Sequence, residues 1–151
     1  MMILVVLKKQ KLRDIGFKKG IIDGNALILT LMPILLIIVQ IFILDKTVCF
    51  TLGFALFSSV ILAPVTEEIF FRGYLLEKLN VFSNKYYAIL ISAFLFGFIH
   101  LPRLSIGMYD PAGFVFTFIL GGLFGWVYCE GKSLAYPIVF HALWNLSASI
   151  F

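Results

Sequence analysis

Five apolar runs divide this chain, and short polar or basic stretches separate them. Gly24 to Leu44 holds no charged residue over twenty-one positions, enough to cross a bilayer core of ~30 Å as a helix. Asp45-Lys46 then makes a brief polar break. The second run opens at Thr47, stays uncharged to Thr66 and meets the adjacent carboxylates Glu67-Glu68. Tyr86–Pro102, Pro111–Cys129 and Ser133–Phe151 supply the third, fourth and fifth. None alternates with the two-residue period of a barrel strand, and each is close to helix-spanning length. Backbone groups in lipid must be satisfied internally, so the pattern predicts an all-α, polytopic transmembrane bundle of about five spanning helices.

The second run does not end cleanly at the glutamates. Glu67 to Leu79 continues with Ile69, Phe70, Phe71, Tyr74, Leu75 and Leu76, so the embedded helix is predicted to extend to Leu79, bent or broken near Pro64. At 1.5 Å per residue, Glu67 then lies ~18 Å from the inner end of its helix. His100 lies ~21 Å along the third run and His141 ~12 Å along the last. All three reach the middle third of the membrane.

Composition supports lipid as the solvent. The chain has 151 residues, 62% hydrophobic and only 13% charged, too few polar residues to cover a soluble fold of this size. Lys8, Lys9, Lys11, Arg13, Lys18 and Lys19 cluster before the first run. Membrane topology accounts for them better than a nucleic-acid arm, because basic flanks stay on the cytoplasmic side. With a cytoplasmic amino terminus, Lys46 and Arg103 fall outside and the other ten basic residues inside. The organisation read here is a basic cytoplasmic segment, 1–23, and an intramembrane helical domain, 24–151. An integral multi-pass protein of a bacterial cell membrane is expected, with lipid as partner and no nucleic acid. Met1–Leu7 is short and is followed, not preceded, by basic residues, which suits a cleavable signal peptide poorly. Cys49 and Cys129 lack CxxC spacing and read as small apolar wall residues.

Ionisable residues inside apolar runs are costly and mark sites. Glu68 and Arg72 are spaced i, i+4, which sets them on one helix face within ion-pair reach. Glu67 projects ~100° away and is free to face a cavity. His141 and Asn145 repeat the i, i+4 spacing and present an imidazole and a carboxamide together, able to hold a water or polarise a carbonyl oxygen. Plainer readings stand beside these: a charge cluster ending a span, an interfacial His100, and hydrogen-bonded helix packing at His141 and Asn145. Two carboxylates and two imidazoles also suit zinc by ligand type, but no HExxH helix gives that specific support. Gly121, Gly122 and Gly125 have the spacing of close helix packing.

Together the constellations resemble the CPBP family of intramembrane proteases, which includes CAAX prenyl proteases and bacteriocin-processing or immunity (Abi) proteins. The resemblance rests on Glu67-Glu68-Ile69-Phe70-Phe71-Arg72, then Phe96 to His100, then His141 to Asn145, intact, in order and suitably separated. It covers about Leu62 to the end. It implies an intramembrane endopeptidase acting on a membrane-associated peptide, prenylated or leader-bearing. By that analogy Glu67 activates the attacking water, His100 shares or orients it, His141 and Asn145 stabilise the oxyanion, and Glu68 with Arg72 holds the geometry. Both a divalent metal such as zinc and a metal-free mechanism fit these residues. A non-enzymatic immunity or regulatory scaffold is the alternative within the family. A proton-coupled transporter is the third reading, with no internal repeat to support it.

Overall fold

Asp23 starts the first helix: its carboxylate accepts from the Ala26 backbone N–H at 2.8 Å, satisfying one of the donors that a helix start leaves orphaned. A computed structural model describes Gly16 and residues 23–44, 53–101 and 111–149. Of the predicted basic segment 1–23, only Gly16 and Asp23 fall within that set; Lys46, Cys49, Arg103 and the last two residues lie outside it. Helix α1 is Gly24–Phe42, α2 is Phe54–Phe82, α3 is Lys85–Phe98, α4 is Pro111–Gly131 and α5 is Ala135–Ser149. Among the described residues all regular structure is helical.

Three of these helices, α1, α2 and α4, are long and apolar enough to cross a membrane. Of the about five spans expected, three are met by helices of that length among the described residues; the other two runs form shorter helices packed among them. At 14 and 15 residues, α3 and α5 extend only ~21–23 Å, against a hydrocarbon core of ~30 Å. Helix α3 stops at Phe98, four residues before Pro102, for a local reason. The His100 ring nitrogen Nδ1 bonds the Phe96 carbonyl at 2.8 Å, the acceptor that the His100 backbone N–H would use in a continuing helix. That N–H turns instead to the Gly97 carbonyl at 3.0 Å. A side chain thus replaces its own backbone at the helix end.

The predicted extension of the second run holds, since α2 runs through the glutamates without interruption. Pro64 widens this helix rather than breaking it. Ser58–Leu62 and Ile69–Leu76 are π-helical stretches, the kind of bulge that accommodates a missing donor and recurs at functional sites.

Phe71, Phe96, Phe124 and Phe140, one from each of α2 to α5, form the core with Ala26 of α1. Helices α3 and α4 pack closely along Gly121 and Gly125. A methyl group on Gly121 would lie 3.2 Å from the Ala93 Cα, and one on Gly125 would lie 3.2 Å from Ile89. The close-packing expectation is met at those two glycines; Gly122 faces open space. Large apolar side chains such as Ile28, Leu35, Phe54, Leu90 and Val115 are exposed around the outside, a surface suited to acyl chains and not to water.

Candidate active site

Glu68 and Arg72 are both fully buried, a position that only pairing makes tolerable. Arg72 Nη1 donates to Glu68 Oε1 at 2.9 Å, and Nη2 donates to the Gly121 carbonyl of α4 at 2.8 Å. The guanidinium carbon lies 4.7 Å from the centroid of the Phe96 ring, 5.3 Å from Phe124 and 5.7 Å from Phe71, an aromatic enclosure that stabilises a desolvated cation. The ion pair expected from the i, i+4 spacing is present.

It does not close on itself, however. The same Glu68 Oε1 meets His141 Nδ1 of α5 at 2.9 Å. The carboxylate therefore ties α2 to α5 while Arg72 ties α2 to α4. The His141 ring stacks on Phe124, with centroids 4.7 Å apart and planes at 20°, and meets the edge of Phe96 at 5.8 Å. Its orientation is fixed on three sides.

Glu67 faces a separate space, as its angular offset from Glu68 requires. It lines a cavity of about 390 Å³ with His100, His141 and Asn145, walled by Phe96, Phe116, Phe124 and Trp144. All four residues named by the motifs as reacting groups thus share one cavity. Glu67 Oε2 is buried without a hydrogen-bond partner among the described residues, and it stands 4.0 Å from His141 Nε2.

The partners of the two imidazoles assign their tautomers. Nδ1 of His100 faces a carbonyl and Nδ1 of His141 faces an arginine-paired carboxylate. Both of these oxygens can only accept, so Nδ1 carries the hydrogen in each ring. In the neutral rings Nε2 holds the lone pair.

Asn145 is positioned by a backbone defect in α2. Its Nδ2 donates to the Ser59 carbonyl at 2.8 Å. That carbonyl lost its usual donor because the Ala63 N–H bonds Ser58 instead, and the next residue along, Pro64, has no N–H to offer. A carboxamide has two N–H donors, so one remains for a ligand in the cavity. Ser59 and the ring of Phe96 are the site residues to which the sequence assigned no role, whereas Pro64 was expected to bend or break its helix. Phe96 was visible as the first position of Phe96 to His100, where i, i+4 spacing sets its carbonyl beneath the imidazole; the orphaned Ser59 carbonyl had no sequence signal beyond Pro64.

Among the described residues no three His, Cys, Asp or Glu side chains are grouped to hold a metal ion.

Residues 49–147, about two thirds of the chain, match the Type II CAAX prenyl endopeptidase Rce1-like family. A similar curated protein is a putative membrane peptidase, YdiL, of Bacillus subtilis (strain 168), 32% identical over 87 residues, covering 58% of this chain and 32% of that protein. The chain thus spans about a third of the length of that relative. No solved structure matches.

Proposed function

Given that this chain belongs to the Rce1-like family of Type II CAAX prenyl endopeptidases, a branch of the CPBP intramembrane proteases, we propose that it hydrolyses a peptide bond of a membrane-associated polypeptide, with Glu67 as general base. The observation that carries this reading is the pair of facing acceptors, Glu67 Oε2 and His141 Nε2, 4.0 Å apart in the cavity. Because Oε2 is buried, a water with hydrogen bonds of ~2.8 Å to both enters that gap as the surrounding side chains move aside. It donates one hydrogen to each, which leaves its oxygen lone pairs free for attack. In this reading His141 acts on the water's side of the site, where the resemblance alone gave it to the oxyanion.

Glu67 takes a proton from the water as its oxygen adds to the scissile carbonyl carbon. The oxyanion that forms is stabilised by the free N–H of Asn145. Collapse of the tetrahedral intermediate breaks the C–N bond, and Glu67 returns its proton to the leaving nitrogen. The products are a carboxylic acid and an amine. His100, the second imidazole in the wall, orients the water or the substrate amide through Nε2. Glu68 and Arg72 act through His141 by holding its ring.

The test is cleavage of a membrane-tethered peptide by purified protein in vesicles, run with a zinc chelator present. Glu67→Gln is expected to lower kcat by ~10²–10⁴-fold, the usual contribution of a general base, while the unfolding midpoint stays at the parental value. Equal cleavage by parent and variant would sink the proposal.

A further inference from the structure

Several hydroxyls within the helices bond their own backbone. Thr30, Thr66, Thr117 and Ser149 each donate to the carbonyl four residues back, the local habit of such side chains. Ser92 of α3 does otherwise. From almost complete burial it donates across to the Phe71 carbonyl of α2 at 3.2 Å.

That carbonyl lies in the π-helical stretch Ile69–Leu76. A side chain that enters the backbone ladder is one of the causes of an irregular helix turn. The Phe71 carbonyl shares one planar peptide group with the Arg72 N–H, so a donor on its oxygen fixes the backbone from which Arg72 projects. Phe71, Phe96 and Phe124 enclose the head of that side chain; Ser92 holds its root. Both ends matter, because one guanidinium serves Glu68 and the Gly121 carbonyl at once. Glu68 Oε1 in turn holds His141 Nδ1.

The effect does not run along α3 to His100, which lies eight positions on. Helix α3 is held against α4 independently, where Gly121 and Gly125 admit Ala93 and Ile89. His100 Nδ1 is fixed by the Phe96 carbonyl next to it. Losing the Ser92 bond leaves those contacts in place.

We propose that Ser92 is a positioning residue of the site. Through the peptide group of Phe71 and Arg72 it keeps Arg72 on Glu68, and so holds the His141 ring with Nδ1 protonated and Nε2 towards Glu67. Its part in cleavage rests on the protease reading above.

The chain has two histidines, so nitrogen-15 labelling of histidine gives two sets of ring signals from the full chain in vesicles, assigned with a His100→Gln variant. In the parent, His141 is expected to show one protonated and one bare ring nitrogen. In Ser92→Ala its signals are expected to broaden or divide between tautomers, with those of His100 unmoved. In cleavage of a membrane-tethered peptide, kcat is expected to fall about three- to tenfold, the scale of one hydrogen bond. KM is expected to stay at the parental value, since Ser92 is buried against α2 and is not in the cavity lining. An unmoved His141 overturns the proposal, and so does an equal change at both histidines, the mark of general loosening. A changed His141 with parental kcat overturns the part in cleavage. If the parent cuts no peptide while Ser92→Ala still changes His141 alone, the protease reading fails and the hold on His141 stands.

Discussion

Glu68 and Glu67 are neighbours with opposite duties, and the difference lies in what each carboxylate touches. Glu68 bonds Arg72 and His141 from complete burial. Removing its charge leaves the enclosed guanidinium without a counterion, the situation in which a broken buried pair costs about 3–5 kcal/mol. Glu68→Gln is therefore expected to lower stability by an amount of that order in a chemical or thermal unfolding measurement, with loss of cleavage as a consequence. Glu67, whose Oε2 has no partner among the described residues, is expected to tolerate the same change without unfolding. Opposite behaviour of the two variants would exchange their roles. The pairing of Glu68 with Arg72 was legible from their spacing. Its second bond, to a histidine 73 positions away, was not, because nothing local in the sequence records which helix lies against α2.

At the scale of elements, Pro64 joins a helix irregularity to the site. It removes the donor that could have reached the Ser59 carbonyl, and Asn145 of α5 fills that place. Pro64→Ala restores an N–H able to compete for this carbonyl, so it is expected to lower kcat with little change in KM. Asn145→Ala is expected to cost ~10²–10³ in kcat, the scale of a lost oxyanion donor. If Pro64 acts through Asn145, the double variant falls no further than Asn145→Ala alone. Additive losses in a double-mutant cycle would show that Pro64 acts elsewhere. A bend near Pro64 is readable from sequence because the ring cannot donate and crowds the preceding turn. Whether the helix breaks or widens depends on what neighbouring helices offer the freed carbonyls.

Across the whole molecule, helix lengths are mismatched. Helix α2 has 29 residues and extends ~43 Å, about twice the length of α3 or α5. A long helix accommodates by tilting, whereas short ones favour a thinner bilayer, at fractions of a kcal/mol per Å of mismatch. Thermal stability and cleavage are therefore both expected to be higher in vesicles of shorter-chain phosphatidylcholine than of longer-chain phosphatidylcholine. Equal values across chain lengths would indicate that α3 and α5 are shielded from lipid by other parts of the protein.

By itself the sequence determined the solvent, the helical class and the polar residues that gather at the cavity. Those follow from local properties: uncharged length, backbone satisfaction in lipid, and i, i+4 spacings that hold within any one helix. It also indicated convergence, since Glu67, His100 and His141 fall at matching distances along successive runs. Only the tertiary structure decided what each polar group is bound to. Contacts between helices depend on rotation and close approach, which Gly121 and Gly125 permit where α3 meets α4 but which spacing along one helix cannot specify. The short α3 belongs to the same lesson, because it ends where the His100 side chain takes its own helix's carbonyl. The doublet Glu67-Glu68 could be seen in the sequence; its division into one buried anchor and one carboxylate facing a cavity was set by helices that approach α2 from different sides.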